Sequence, residues 1–151
     1  MVRFRMNSSS QPLRVVCTGT VRVPLPAERA LPLFTPRGEQ RWADGWEPSF
    51  PAGDADDSAP GTVFLTDEAI WMVADRTERS LRYARALPGV WAGTIEVRCE
   101  PDGGDTTAHV TYDLTALDAA QRPRLREFAD GYEAFLGEWE SEIGAALARG
   151  C

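Results

Sequence analysis

The apolar residues between positions 125 and 147 constrain the fold more than any other part of the chain. Leu125, Phe128, Ala129, Tyr132, Phe135, Leu136, Trp139, Ile143 and Leu147 recur three and four positions apart, the spacing of one face of an α-helix. Arg124, Glu127, Glu133, Glu138 and Glu142 fall on the other face. Pro123 suits the first turn and Gly150 the stop. One long amphipathic helix is predicted. Its stripe is rich in aromatic rings and wider than a helix needs to close a compact core. A concave sheet wrapped around it would leave a space between the two.

Upstream, the pattern changes to period two. TVFLTD, AIWMVAD, SLRYARAL, GTIEVRCE and TTAHVTYDLTAL are short runs divided by the turn sequences DRTE and PDGGD, which predicts an antiparallel meander. Alternation puts Ile95, Val97 and Cys99 on one face, and likewise Ala108, Val110, Tyr112 and Leu114. AIWMVA is apolar on both faces, and Trp71 and Val73 are assigned inward. LRVVCTGTVRV, residues 13–23, is a further strand. PAERALPLF and TPRGEQRWA follow as two short helical pieces that Pro32 and Pro36 keep from fusing. Residues 1–12 read as a disordered arm and 13–149 as one domain of the α+β class. PSFPAGDADDSAPG, residues 48–61, reads as a mobile surface loop. Its Asp54, Asp56 and Asp57 lack the glutamate and glycine positions of a calcium loop.

Several functions are excluded at this level. A net charge of −7 argues against nucleic acid and against an anionic membrane surface, both of which need clustered positive charge. No apolar run approaches the ~18 residues of a membrane helix, and no secretory leader opens the sequence, so a cytoplasmic chain is expected. There is no Lys, which excludes Schiff-base chemistry. Cys17, Cys99 and Cys151 are scattered, and His109 is the single histidine. No metal site, catalytic triad or cofactor is therefore expected. His109 alternates with Val110 and Tyr112 and should face solvent.

The segment LFTPRGEQRWADGWEPSF raises a question of its own. A tryptophan needs a large apolar partner surface and an acceptor for its N–H, yet neither Trp42 nor Trp46 sits in a periodic apolar pattern. Something elsewhere in the chain must receive them.

The order strand, two short helices, meander, long helix resembles the helix-grip fold of the SRPBCC superfamily, which includes START lipid-binding domains, polyketide aromatase/cyclases, plant pollen allergens and co-chaperone-type domains. TGTVRVPLPAERALPLFTPRGEQRWADGWEP, GTVFLT and VTYDLTAL carry the resemblance, which runs from Leu13 to Leu147 and looks like a bacterial branch. It implies a deep cavity between the sheet and the last helix, with Trp42 and Trp46 at its mouth. Such a cavity would take a small apolar or aromatic ligand, lined by Trp42, Trp46, Trp71, Tyr83, Arg85, Tyr112, Tyr132, Phe135 and Trp139. Function does not follow from the fold. Binding or carriage is the first expectation. The alternatives are a cyclase-like enzyme of aldol condensation or dehydration using Arg85 with Tyr83 or Tyr112, and a co-chaperone-like interaction module.

Arg85 decides most. In SLRYARAL it shares a face with Leu81 and Tyr83, and an arginine on an apolar face is costly unless it is paired or reaches water. Either it holds a carboxylate such as Glu96 or Asp113, or it snorkels to the sheet edge, or it awaits a ligand oxygen.

Overall fold

The alternating runs form seven antiparallel strands: β1 (Val2–Met6), β2 (Pro12–Val23), β3 (Val63–Thr66), β4 (Ala69–Arg76), β5 (Ser80–Leu87), β6 (Trp91–Asp102) and β7 (Asp105–Ala116). They make one sheet in the order β1-β2-β7-β6-β5-β4-β3. The structure, a computed structural model, describes residues 2–6, 12–53 and 55–150. Sequence parity becomes burial. Along β7, Ala108, Val110, Tyr112 and Leu114 are buried, as are Ile95, Val97 and Cys99 on β6. In β4 the ambiguous run resolves with Trp71 and Val73 inside, while Ile70 and Met72 remain 47% and 42% exposed.

Two expectations need correction. Residues 1–12 were expected to form a disordered arm, but Val2–Met6 pair with β2, from Val2 opposite Cys17 to Met6 opposite Pro12. Strand β2 is otherwise paired only with β7, so its other edge would present unpaired N–H and C=O groups. Residues 7–11 of that arm lie outside the described residues. The segment 48–61, expected as a mobile loop, has several ties. Ser49 bridges Leu65 in both directions, Gly61 N–H donates to the Val73 carbonyl, and buried Ser58 meets Arg76.

Between β2 and β3 lie α1 (Ala27–Ala30), a 3₁₀ turn (Leu31–Phe34) and α2 (Pro36–Glu39). The prolines break the stretch as expected, and the Thr35 hydroxyl caps α2 by accepting from Gly38 N–H at 3.0 Å. The C-terminal helix is long, but not unbroken. It comprises α3 (Arg122–Asp130) and α4 (Tyr132–Ala148), interrupted at Gly131. The hydrogen-bond ladder still runs through, since Gly131 N–H reaches Glu127 O and Phe135 N–H reaches Gly131 O. The irregularity is therefore local, at a glycine, a residue of weak helix preference.

α3 packs on β2 and β7, and α4 on β2. Leu125, Ala129, Tyr132, Leu136 and Ile143 are buried, whereas Phe128, Phe135 and Trp139 are only partly so. The wide stripe thus divides into a face pressed on the sheet and a face beside it. This is the α+β helix-grip arrangement.

Glycine in a strand marks a close backbone approach or a bend. At Gly93, between Arg85 on β5 and Leu114 on β7, a Cβ would stand 1.8 Å from the Asp113 carbonyl oxygen. Gly93→Ala should therefore destabilise the protein by about 1–3 kcal/mol in urea unfolding, while Gly104→Ala, whose Cβ meets nothing within 4 Å, should shift stability by less than about 0.5 kcal/mol. Equal midpoints for the two variants would refute this account of the bend.

Candidate functional site

The partly buried helix face, the inner faces of β4 to β7 and the segment after α2 enclose a cavity of about 350 Å³. All five tryptophans of the chain line it: Trp42, Trp46, Trp71, Trp91 and Trp139. Trp42 and Trp46 are held by their N–H groups, which donate to the Leu33 carbonyl at 2.8 Å and the Pro36 carbonyl at 2.7 Å. Their rings meet partners contributed by other elements. Trp42 packs edge-on against Trp139 at 5.4 Å, and Trp46 against Trp71 at 5.5 Å. The irregular segment is thus fixed by its own carbonyls at one end and by the sheet and helix at the other.

Tyr83, Arg85, Tyr112 and Phe135 also line the cavity, but Tyr132 does not. Its hydroxyl donates to the Val110 carbonyl at 2.7 Å, and it lies on the side of Gly19 and Leu136. Tyr132 is a strut between helix and sheet. Tyr83 is similarly committed, donating to the Phe34 carbonyl at 2.8 Å. Tyr112 is different. It is 7% exposed, and among the described residues its hydroxyl has no hydrogen-bond partner.

Arg85 is not held by the carboxylates first considered. Asp113 takes a two-pronged contact from Arg14 at 2.8 and 2.6 Å on the outer face, and Glu96 stands opposite Arg82 in the register. The Arg85 Nε is buried without an acceptor, and the guanidinium lies 5.0 Å from the Trp71 ring centroid. Burial pushes its pKa down, with Arg124 adding to that and Tyr112 opposing it. Arginine nonetheless keeps its proton. Among the described residues, the result is a cation supported by a ring face and by no counter-charge.

Sequence reasoning missed two lining residues of consequence. Trp91 has the inward parity of Ile95, a signal that was available, and its Nε1 is buried without an acceptor. Glu39, the last residue of α2, is half-buried with its side chain toward the cavity, and desolvation raises its pKa well above the carboxylate range. No local pattern announced that role. Burial likewise pushes the Cys17 and Cys99 thiols to about 11, so both are inert. His109 is half-exposed and meets Glu100 at 2.7 Å. Among the described residues no cluster of His, Cys, Asp or Glu could hold a metal ion, and no helix is long and apolar enough to cross a membrane.

No family model and no curated protein sequence matches the chain. Solved structures do. CalU16 from Micromonospora echinospora superposes with a TM-score of 0.65 at 18% identity, over 99% of this chain and 87% of that one. Ara h 8.0201 gives 0.61 at 12%, over 89% and 99%. DynU16, a protein in the dynemicin biosynthetic locus, gives 0.58 at 16%, over 85% of this chain and 47% of its own length. The chain thus spans about half of DynU16. These likenesses establish the fold.

The polar groups of the cavity carry two stability predictions. Because no buried carboxylate would be stranded, Arg85→Met should leave stability within about 1 kcal/mol of the parent or raise it. A loss of ~3 kcal/mol or more would reveal a hidden partner. For Glu39 the folded-state pKa is raised, so the folded protein keeps a proton that the unfolded chain releases above the ordinary carboxylate range. Stability is then lost as pH rises through that window. Glu39→Gln removes the penalty. It should stabilise the protein relative to the parent increasingly from about pH 4.5 upward, measured by urea unfolding across pH. A pH-independent difference would contradict the assignment.

Proposed function

We propose that the protein binds and carries a small, largely apolar ligand inside this cavity. One observation carries the reading: a cavity lined by every tryptophan of the chain also contains a guanidinium with no carboxylate to meet it. A purely structural core gains nothing from such a group, whose desolvation is costly when unpaired. A ligand oxygen would relieve that cost. The ring faces would hold an apolar body, and Arg85 with the free Tyr112 hydroxyl would orient an acceptor oxygen at one end. A volume of about 350 Å³ suits a compact ligand at the lower end of the usual range of ~300–1,000 Å³. Likeness to a protein from a biosynthetic locus supports a small-molecule role, within the superfamily that the sequence resembles.

A cyclase-like enzyme is the second reading, and Tyr112 is what favours it. Its unpartnered hydroxyl lines the same cavity as Arg85, and such a pair could polarise a ligand carbonyl toward aldol chemistry. Carriage requires only the cavity and is preferred.

A polarity-sensitive dye should gain fluorescence in the native protein and quench its tryptophans, and polycyclic phenols and aromatic carboxylates should displace it. Arg85→Met should weaken the carboxylates by about 10-fold while sparing neutral analogues. A protein that leaves the dye dark and its tryptophans unquenched would point instead to an interaction module with a collapsed interior.

A further inference from the structure

The mouth of this cavity has an electrostatic character opposite to its interior. Four carboxyl groups line it, Glu39, Asp44, Glu138 and Glu142, against the single basic residue Arg85. None of the four is in an ion pair among the described residues. Asp44 and Glu138 are exposed, Glu142 is half-exposed and Glu39 lies deeper, so they span the passage from solvent inward. Arg41 and Arg149 stand outside, in a shallow depression that shares Trp42, Asp44 and Glu142 with the mouth. They pair with none of the four.

The rings beside these carboxyls are of the kind that receive cations. A ring face attracts a cation through its quadrupole, most strongly in tryptophan. Inside, the Trp71 face already carries Arg85, and the outer Trp91 face carries Arg124 at 5.4 Å. Trp42, Trp46 and Trp139 carry none among the described residues. Besides Arg85 Nε, two groups lack a hydrogen-bond partner among the described residues, the Tyr112 hydroxyl and the buried Trp91 Nε1, each in a residue 7% exposed, and they mark the interior as built for a ligand independently of the acidic rim.

We infer that the ligand is an amine: an apolar, ring-bearing body with a protonated nitrogen held at the mouth among Trp42, Trp139, Glu39, Glu138 and Glu142, and an acceptor oxygen directed inward to Arg85 and Tyr112. This rests on the cavity-binding reading and adds the sign of the ligand's outer charge. An ammonium beside Glu39 would also provide the counter-charge that this carboxyl lacks, and so favour its ionised form.

Three matched probes test it by calorimetric titration of the intact protein: 1-naphthylmethylammonium, 1-naphthylmethanol and 1-naphthoate. The ammonium should bind about 10-fold or more tightly than the alcohol. That preference should collapse to about the level of the alcohol in Glu39→Gln and in Glu138→Gln/Glu142→Gln. The second variant alters one exposed and one half-exposed position of α4, so it remains informative if the first fails to fold. An ammonium that binds no more tightly than the alcohol, or a preference that survives the variants, overturns the inference while leaving the cavity reading intact; naphthoate reads the inner Arg85 end alone. Failure of all three probes to bind overturns both.

Discussion

An apolar arc wider than one sheet face can cover is the constraint on which the rest of this structure depends. Leu125, Ala129, Tyr132, Leu136 and Ile143 use the side of the C-terminal helix that meets β2 and β7, and they leave Phe128, Phe135 and Trp139 beside that contact. Those rings must be shielded by something other than the sheet. The chain supplies Trp42, pinned to the Leu33 carbonyl and set edge-on against Trp139 and Phe34. Two short helices broken by prolines suit this task, because each proline redirects the chain within a few residues. What results is a rim of rings rather than a filled core.

The interior then carries a charge that a filled core would not tolerate. Arg85 sits on the same face as Leu81 and Tyr83, and its strand neighbour on β6 is Gly93, which contributes no side chain to the crowding. The Trp71 ring face offsets part of the desolvation. On the outer face, by contrast, Arg14 and Asp113 satisfy each other. The sheet thus carries an arginine paired on its outer face, Arg14, and one without an ion pair among the described residues on its inner face, Arg85.

How much of this was legible depends on whether a residue's role is set by local period or by tertiary placement. The inner faces of β6 and β7, and the inward position of Arg85, follow from parity alone, and the C-terminal helix follows from its spacing. Trp91 obeys the same parity as Ile95 and could have been placed inward from it. Tyr132 could not be separated from Phe135 and Trp139, because one stripe holds all three and only the angle of packing decides which ring touches the sheet. Glu39 was opaque for a deeper reason. In PRGEQRWA it reads as one polar residue of a short helix, and its neighbours come from elements far along the chain. The strand at Val2–Met6 pairs with the open edge of β2, and its alternation of Val2, Phe4 and Met6 with Arg3 and Arg5 was a period-two signal that the reading as a disordered arm passed over.

The three tyrosines show how tertiary partners assign roles that composition cannot. All are buried, and burial raises the pKa of each phenol beyond its ordinary value, so none ionises near neutrality. Tyr83 spends its proton on the Phe34 carbonyl, joining β5 to the 3₁₀ turn, and Tyr132 spends its own on Val110, joining helix to sheet. Tyr112 lies within the electrostatic reach of both Glu39 and Arg85, yet bonds to neither. A hydroxyl left unpartnered on a cavity wall is open to water or to a ligand acceptor. Arg85 Nε and Trp91 Nε1 are unmet in the same cavity. Two buried unmet donors, with the unpartnered Tyr112 hydroxyl beside them, oppose selection for stability alone, and they follow directly if the complement is an acceptor that arrives from outside.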